Sequence, residues 1–147
     1  MDLVVSGCCF LDDEILLVYH RKLDVWLPPG GHIDRDETPD AAVRRELKEE
    51  VGIDVELVQT PSITTAGSVR EELATPFYVN VHDVGDHDHC CFFYLCTTKT
   101  RELDMAPREV RGARWLSRDE VGELDAMLND TRMIVDAAFD AWQDVSE

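Results

Sequence analysis

The chain has 147 residues, enough to bury a compact core without disulfide or metal staples, and it reads as one domain over residues 1–147. Hydrophobic residues make up 44% of it, which excludes a disordered tail, and no apolar run nears the ~18 residues of a membrane span. Thirty-one acidic against fourteen basic residues give a formal net charge of -17, which opposes general binding to a nucleic-acid backbone.

Taken in chain order, the N-terminal Met1-Asp2-Leu3-Val4-Val5 has no basic region ahead of its apolar stretch, so no signal peptide is expected and the cytoplasm is the default location. Leu3 to Phe10 and Ile15 to His20 predict two strands joined by the turn Leu11-Asp12-Asp13-Glu14. A loop with Pro28-Pro29-Gly30-Gly31 follows. Thr38-Pro39-Asp40 marks a helix start: Thr38 can cap, Pro39 loses nothing at the first helical position, and Asp40 suits the positive end of the dipole. Ala41 to Val51 continue the helix and Gly52 ends it.

Further strands are expected over Asp54 to Gln59, Phe77 to Val81, Cys90 to Thr97 and Val110 to Leu116. Helices are expected over Arg118 to Met127 and Asp130 to Trp142. A helix embedded among strands, with more helices at the end, implies an α/β fold with a mixed sheet covered on both faces.

Two compositional features add to this order. Asp outnumbers Glu by 18 to 13, and the only lysines are Lys22, Lys48 and Lys99. Such a balance resembles halophilic proteins, whose self-repulsion molar salt screens within ~3 Å. Five cysteines stand as Cys8-Cys9, Cys90-Cys91 and Cys96, with no CxxC spacing, so neither a zinc site nor a disulfide framework is expected. Adjacent cysteines on a strand point to opposite faces, so at least one of each pair should be a small core residue.

The chemistry gathers on the first helix. Glu46, Glu49 and Glu50 lie three and four residues apart on one helix face, where three carboxylates repel one another unless a cation sits between them. All-oxygen ligands select Mg2+ or Mn2+ over zinc, and such ions bridge to substrate phosphates. Taken alone, the triplet reads as a solvated acidic face, the usual origin of a charge run in so acidic a chain. Its surroundings argue otherwise: Gly31, five residues, Glu37, seven residues, then Arg45-Glu46-Leu47-Lys48-Glu49-Glu50-Val51-Gly52-Ile53. This run resembles the complete Nudix box, G-x5-E-x7-R-E-U-x-E-E-x-G-U with U aliphatic. A chance match in such a chain is rarer than about one in ten million.

The resemblance implies a Nudix-type α/β/α sandwich around a mixed β-sheet and Mg2+-dependent hydrolysis of a diphosphate linkage in a nucleoside diphosphate joined to another moiety. It implies metal ligands at Glu46, Glu49, Glu50 and the Gly30 carbonyl, and catalytic roles for Glu49, Glu50 and Arg45, whose guanidinium can hold carboxylates in a fixed orientation. It further implies a fourth carboxylate, ligand or general base, before a late strand. Glu109 stands there, six residues before Trp115, with Glu102 and Asp104 as rivals. The alternative from another class is a catalytically silent nucleotide-binding module that keeps the fold.

Expected partners are a small-molecule nucleotide and, left open, a second copy of the chain; neither general nucleic-acid binding nor a membrane is expected. Val69 stands where an ADP-ribose hydrolase carries proline, so the second moiety stays open. Outside the box, His82-Asp83-Val84-Gly85-Asp86-His87-Asp88-His89 reads as a polar turn between strands in preference to a second metal site or gating loop. His20 and His32 read as structural or rim residues, and Phe77 and Tyr78 as core in preference to base-stacking groups.

Overall fold

The computed structural model describes residues 1–58, 61 and 63–146. Its first hairpin is β1 (Asp2–Leu11) and β2 (Glu14–His20), closed with Phe10 opposite Ile15 and with Asp12 at φ 54° in the turn. Two short strands follow, β3 (Trp26–Leu27) beside β2 and β4 (Gly30–His32) beside β1. Helix α1 (Pro39–Val51) has Thr38 as its cap, accepting from the Ala41 amide, and ends at Gly52 with φ 73°. Next come β5 (Glu56–Leu57), β6 (Tyr78–Asp83), β7 (Asp88–Thr97) and β8 (Val110–Ser117). Helices α2 (Arg118–Gly122) and α3 (Asn129–Ser146) complete the chain.

The eight strands form one mixed sheet in which β1 and β7 run parallel and the other pairings are antiparallel. Strand alternation gives this sheet two core faces. From β1, Val5 and Cys9 pack with Val43, Leu47 and Val51 of α1, while Cys8 and Phe10 pack with Val135, Ala138 and Phe139 of α3. This is the expected α/β/α sandwich, and the five cysteines are free. Cys8 and Cys9 are both fully buried, one in each layer, so the pair serves both faces.

Several boundaries differ from expectation for identifiable reasons. Helix α2 stops at Gly122, a poor helix former, and Arg132 of α3 donates to the Val121 and Leu124 carbonyls that a longer helix would have used. Helix α3 in turn begins at Asn129 and runs on to Ser146, past the expected Trp142. Strand β5 is only two residues long, and Gln59 lies outside the described residues. Phe77 joins the apolar core, whereas Tyr78 is exposed and tilts over Phe93 with centroids 5.6 Å apart. Among the described residues no helix is long and apolar enough to cross a membrane.

Candidate active site

Helix α1 delivers the box carboxylates because its cap, its apolar stripe and its terminus all agree. Ala42, Val43, Leu47 and Val51 face the sheet and are buried, which fixes the rotation of the helix. Glu46 and Glu50, one turn apart, then lie at the edge of that buried stripe. Glu50 is only 7% exposed, whereas the side chain of Glu49 is 52% exposed.

The two glycines before the helix provide room at close quarters. A Cβ on Gly31 would fall 2.5 Å from the Glu46 carboxyl carbon, and one on Gly30 only 2.0 Å from the Val5 carbonyl oxygen. The Gly30 amide donates to Glu50 Oε2 at 3.2 Å. At Gly30 the backbone of β1 leaves no space for a side chain, whereas a side chain at Gly31 would displace the Glu46 carboxylate.

Arg45 organises the N-terminal side of the site. Its Nε and Nη2 donate to the two oxygens of Glu37 at 2.8 and 3.0 Å, a bidentate pair. Nη1 reaches Glu46 Oε1 at 3.0 Å and Glu49 Oε2 at 3.2 Å, and Nη2 also donates to the His32 carbonyl at 2.9 Å. One guanidinium thereby joins the glycine strand, the loop that carries Glu37 and two box carboxylates. Arg45 beside Glu37 holds that carboxyl below its ordinary range and raises its own pKa in return.

The C-terminal side is completed by the segment between β7 and β8. The helix leaves carbonyls unpaired at its end, and this segment uses them: the Asp104 amide donates to Val51 and the Ala106 amide to Glu50. A Cβ on Gly52 would fall 2.7 Å from that of Asp104, so its left-handed turn also admits the segment. Glu109 follows at the end of this docked stretch, its carbonyl accepting from the Arg21 amide. One carboxylate oxygen from each of Glu46, Glu50 and Glu109 then lies within 4.8 Å of the others. Asp104 instead packs against Gly52, and the Glu102 amide turns to Thr100. Glu49 faces Arg45 and is outside this trio.

The electrostatics of the trio follow from burial without a cation. Burial, then the nearby carboxylates of Glu46 and Glu109, push Glu50 up to about 8, against a smaller opposing effect of the Gly30 amide. Burial raises Glu46 as well, with Arg45 pulling the other way. Three oxygen donors, two of them with a carboxyl pKa raised by burial and by neighbouring carboxylates, fit a hard divalent cation: the ion would relieve the repulsion, and oxygen-only donors suit Mg2+ or Mn2+. One signal escaped the sequence: the division of labour between Glu49 and Glu50 depends on helix rotation. The approach of Glu109, the expected fourth carboxylate, depends on the docked segment.

Residues 1–137 match the NUDIX domain family. An RNA pyrophosphohydrolase of Pseudomonas fluorescens is 32% identical over 119 residues, which span 76% of this chain and 74% of that protein. A NUDIX-family hydrolase of Clostridium perfringens superposes with a TM-score of 0.85 at 29% identity, over 96% of this chain and 97% of that one. A C. elegans Ap4A hydrolase shares the fold at 15% identity, with a TM-score of 0.74 and coverage of 98% of both chains.

Proposed function

The chain belongs to the Nudix family and is a hydrolase of that family, and from that premise we propose that it hydrolyses a diphosphate linkage in a small nucleotide derivative with Mg2+, or Mn2+ in its place. The observation that carries this reading is the convergence of Glu46, Glu50 and Glu109 oxygens within 4.8 Å beside the Gly30-Gly31 pair. The ion, when bound, supplies Lewis acidity at the phosphoryl oxygen and a water of lowered pKa.

The chain's own residues supply the rest. Glu46 and Glu50, with one oxygen of Glu109, would hold the cation, and the Gly30 amide orients Glu50 through Oε2. Arg45 fixes the angle of Glu46 while tying Glu37 to the same frame. Glu49, drawn to Arg45 and half exposed, would serve as a ligand from the outer edge of the site. Glu109 is the exposed member of the trio, and its second carboxylate oxygen takes the proton of the attacking water. The water oxygen bonds to phosphorus, the bridging P–O bond breaks, and the proton passes from Glu109 to solvent.

The acidic, lysine-poor composition supports a chain adapted to high salt. A 5′-triphosphorylated RNA end is a second reading, favoured by the 32% identical RNA pyrophosphohydrolase and opposed by the net charge of -17. Phosphorus NMR of a panel with Mg2+, Mn2+ or chelator tests both. The panel would hold nucleoside triphosphates, a nucleotide sugar, ADP-ribose, a dinucleoside polyphosphate and a triphosphorylated oligoribonucleotide. The expected result is ion-dependent cleavage between phosphates in at least one small nucleotide. Nucleotide binding with no turnover under either ion would instead make the chain a silent module.

A further inference from the structure

Four of the chain's five histidines lie together, away from the box carboxylates. His89, in β7, has the rings of His32, His82 and His87 at centroid distances of 5.3, 5.6 and 5.0 Å. Asp2 sits among them: its Oδ2 is 3.1 Å from His32 Nε2, 3.2 Å from His87 Nε2 and 4.0 Å from His89 Nε2. Ligand atoms of Asp2, His32 and His89 all fall within 4.8 Å of one another.

Sheet register explains the convergence. Asp2 pairs with His89 across β1 and β7, His82 with His89 across the β6–β7 hairpin, and Val4 with His32 across β1 and β4. Directly paired residues share a face, and so do residues two apart on one strand. Asp2, His32, His82 and His89 therefore project from the face that carries Val4, Cys91 and Phe93, the side packed by Ile134 of α3. Gly31, one residue before His32, has its missing Cβ directed at Glu46 on the α1 side. The two clusters are back to back across β4.

We propose that Asp2, His32 and His89, with His87 as a fourth ligand, form a site for a borderline divalent transition metal of the Zn2+ class. Imidazole nitrogens with one carboxylate match that class and not Mg2+, and Asp2 at the centre opposes an anion. Bonds of ~2.0–2.1 Å in a tetrahedron separate ligand atoms by about 3.3 Å. Two of the three distances from Asp2 Oδ2 are already near this value, and the third needs a shift of under about 1 Å. The site joins β1, β4 and the β6–β7 hairpin, so binding would staple the strand of Gly30 and Gly31 to its neighbours.

The test is Zn2+ titration of the untagged full-length chain by calorimetry in excess Mg2+, with Co2+ absorption as a geometric readout. One Zn2+ per chain and tetrahedral Co2+ bands are expected. His32→Ala and His89→Ala should each weaken Zn2+ by about tenfold or more, since losing even an outer-shell partner costs ~10–100-fold. Glu50→Gln should leave it unchanged. Asp2→Asn provides a further exposed position should His89→Ala fail to fold. Absence of a Zn2+ site in excess Mg2+ would overturn the proposal, as would a site abolished by Glu50→Gln yet untouched by His32→Ala. Because the readout is binding at another face, its failure leaves the hydrolase reading standing.

Discussion

The two ends of α1 treat their carboxylates in opposite ways. At the N-terminal end Glu37 receives both forks of Arg45, and its pKa is lowered. At the other end Glu50 is buried beside Glu46 and Glu109 with only the Gly30 amide as donor, and it is pushed up to about 8. The contrast separates two tasks. The guanidinium fixes the frame and reaches Glu46, while Glu50 has no cationic partner among the described residues, and a divalent ion would supply that charge.

The sharpest way to break this contrast is to neutralise the unpaired end. Glu50→Gln keeps the shape but weakens a ligand, so hydrolysis should fall about a hundredfold, ~2.7 kcal/mol of transition-state stabilisation. Metal-free stability near pH 8 should meanwhile stay level or rise, because the amide carries no charge to bury. A folded variant with wild-type turnover at limiting Mg2+ would remove Glu50 from the site.

Disrupting the paired end should cost stability instead. Arg45→Lys cannot reproduce the bidentate fork to Glu37 together with the contacts to Glu46 and the His32 carbonyl. Denaturant unfolding should report a loss of about 2 kcal/mol. An unchanged midpoint would mean that the frame does not depend on Arg45.

Glu109→Gln should lower kcat by about tenfold and remove the acid limb of the pH–rate profile, with nucleotide affinity little changed. Retention of both would pass the role of base to another carboxylate, Glu102 and Asp104 being the neighbours in chain order.

The two ends also predict opposite pH slopes for the metal-free protein. Glu50 binds its proton more tightly folded than unfolded, so its stabilisation is fully present below 4.5 and is lost as pH rises toward about 8. Glu37 has a lowered folded pKa, so its contribution is present above 4.5 and is lost as pH falls further. The Glu50 part of the fall in unfolding free energy with chelator between pH 5 and 8 should be at most about 1.4 kcal/mol per unit. Glu50→Gln should flatten that slope, and an identical slope in the variant would contradict the assignment.

Salt is expected to change the contrast least. From 0.1 to 3 M KCl the screening length falls from roughly 10 to below 3 Å, which should raise the unfolding temperature of so acidic a chain. Buried pairs are screened little, so the activity ratio of wild type to Glu50→Gln should stay constant. Equal stability across the range would count against adaptation to high salt.

How much of this was legible in the sequence depends on the range of the interactions. Helix α1 was readable because Thr38, Pro39 and Gly52 act within a turn of its ends. The length of α2 was not, since Arg132 of α3 takes the Val121 and Leu124 carbonyls. Strand β4 was equally hidden: Gly30 and Gly31 have no strand propensity and extend only because β1 pairs with them. The candidate site divides in the same way. Spacing put Glu46, Glu49 and Glu50 on one helix, but the burial of Leu47 and Val51 decides which carboxylate turns inward. Asp2 and His32 read as unrelated to the segment from His82 to His89, because only sheet register brings distant positions onto one face.

The central claim is that Glu46, Glu50 and Glu109 together hold the catalytic divalent ion. Mn2+ binding followed by electron paramagnetic resonance tests it most directly, with Zn2+ present to fill any nitrogen-rich site. Stoichiometric Mn2+ that Mg2+ displaces, weakened about tenfold or more by Glu50→Gln and also by Glu109→Gln, is the predicted result. Mn2+ affinity unchanged in both folded variants would contradict it.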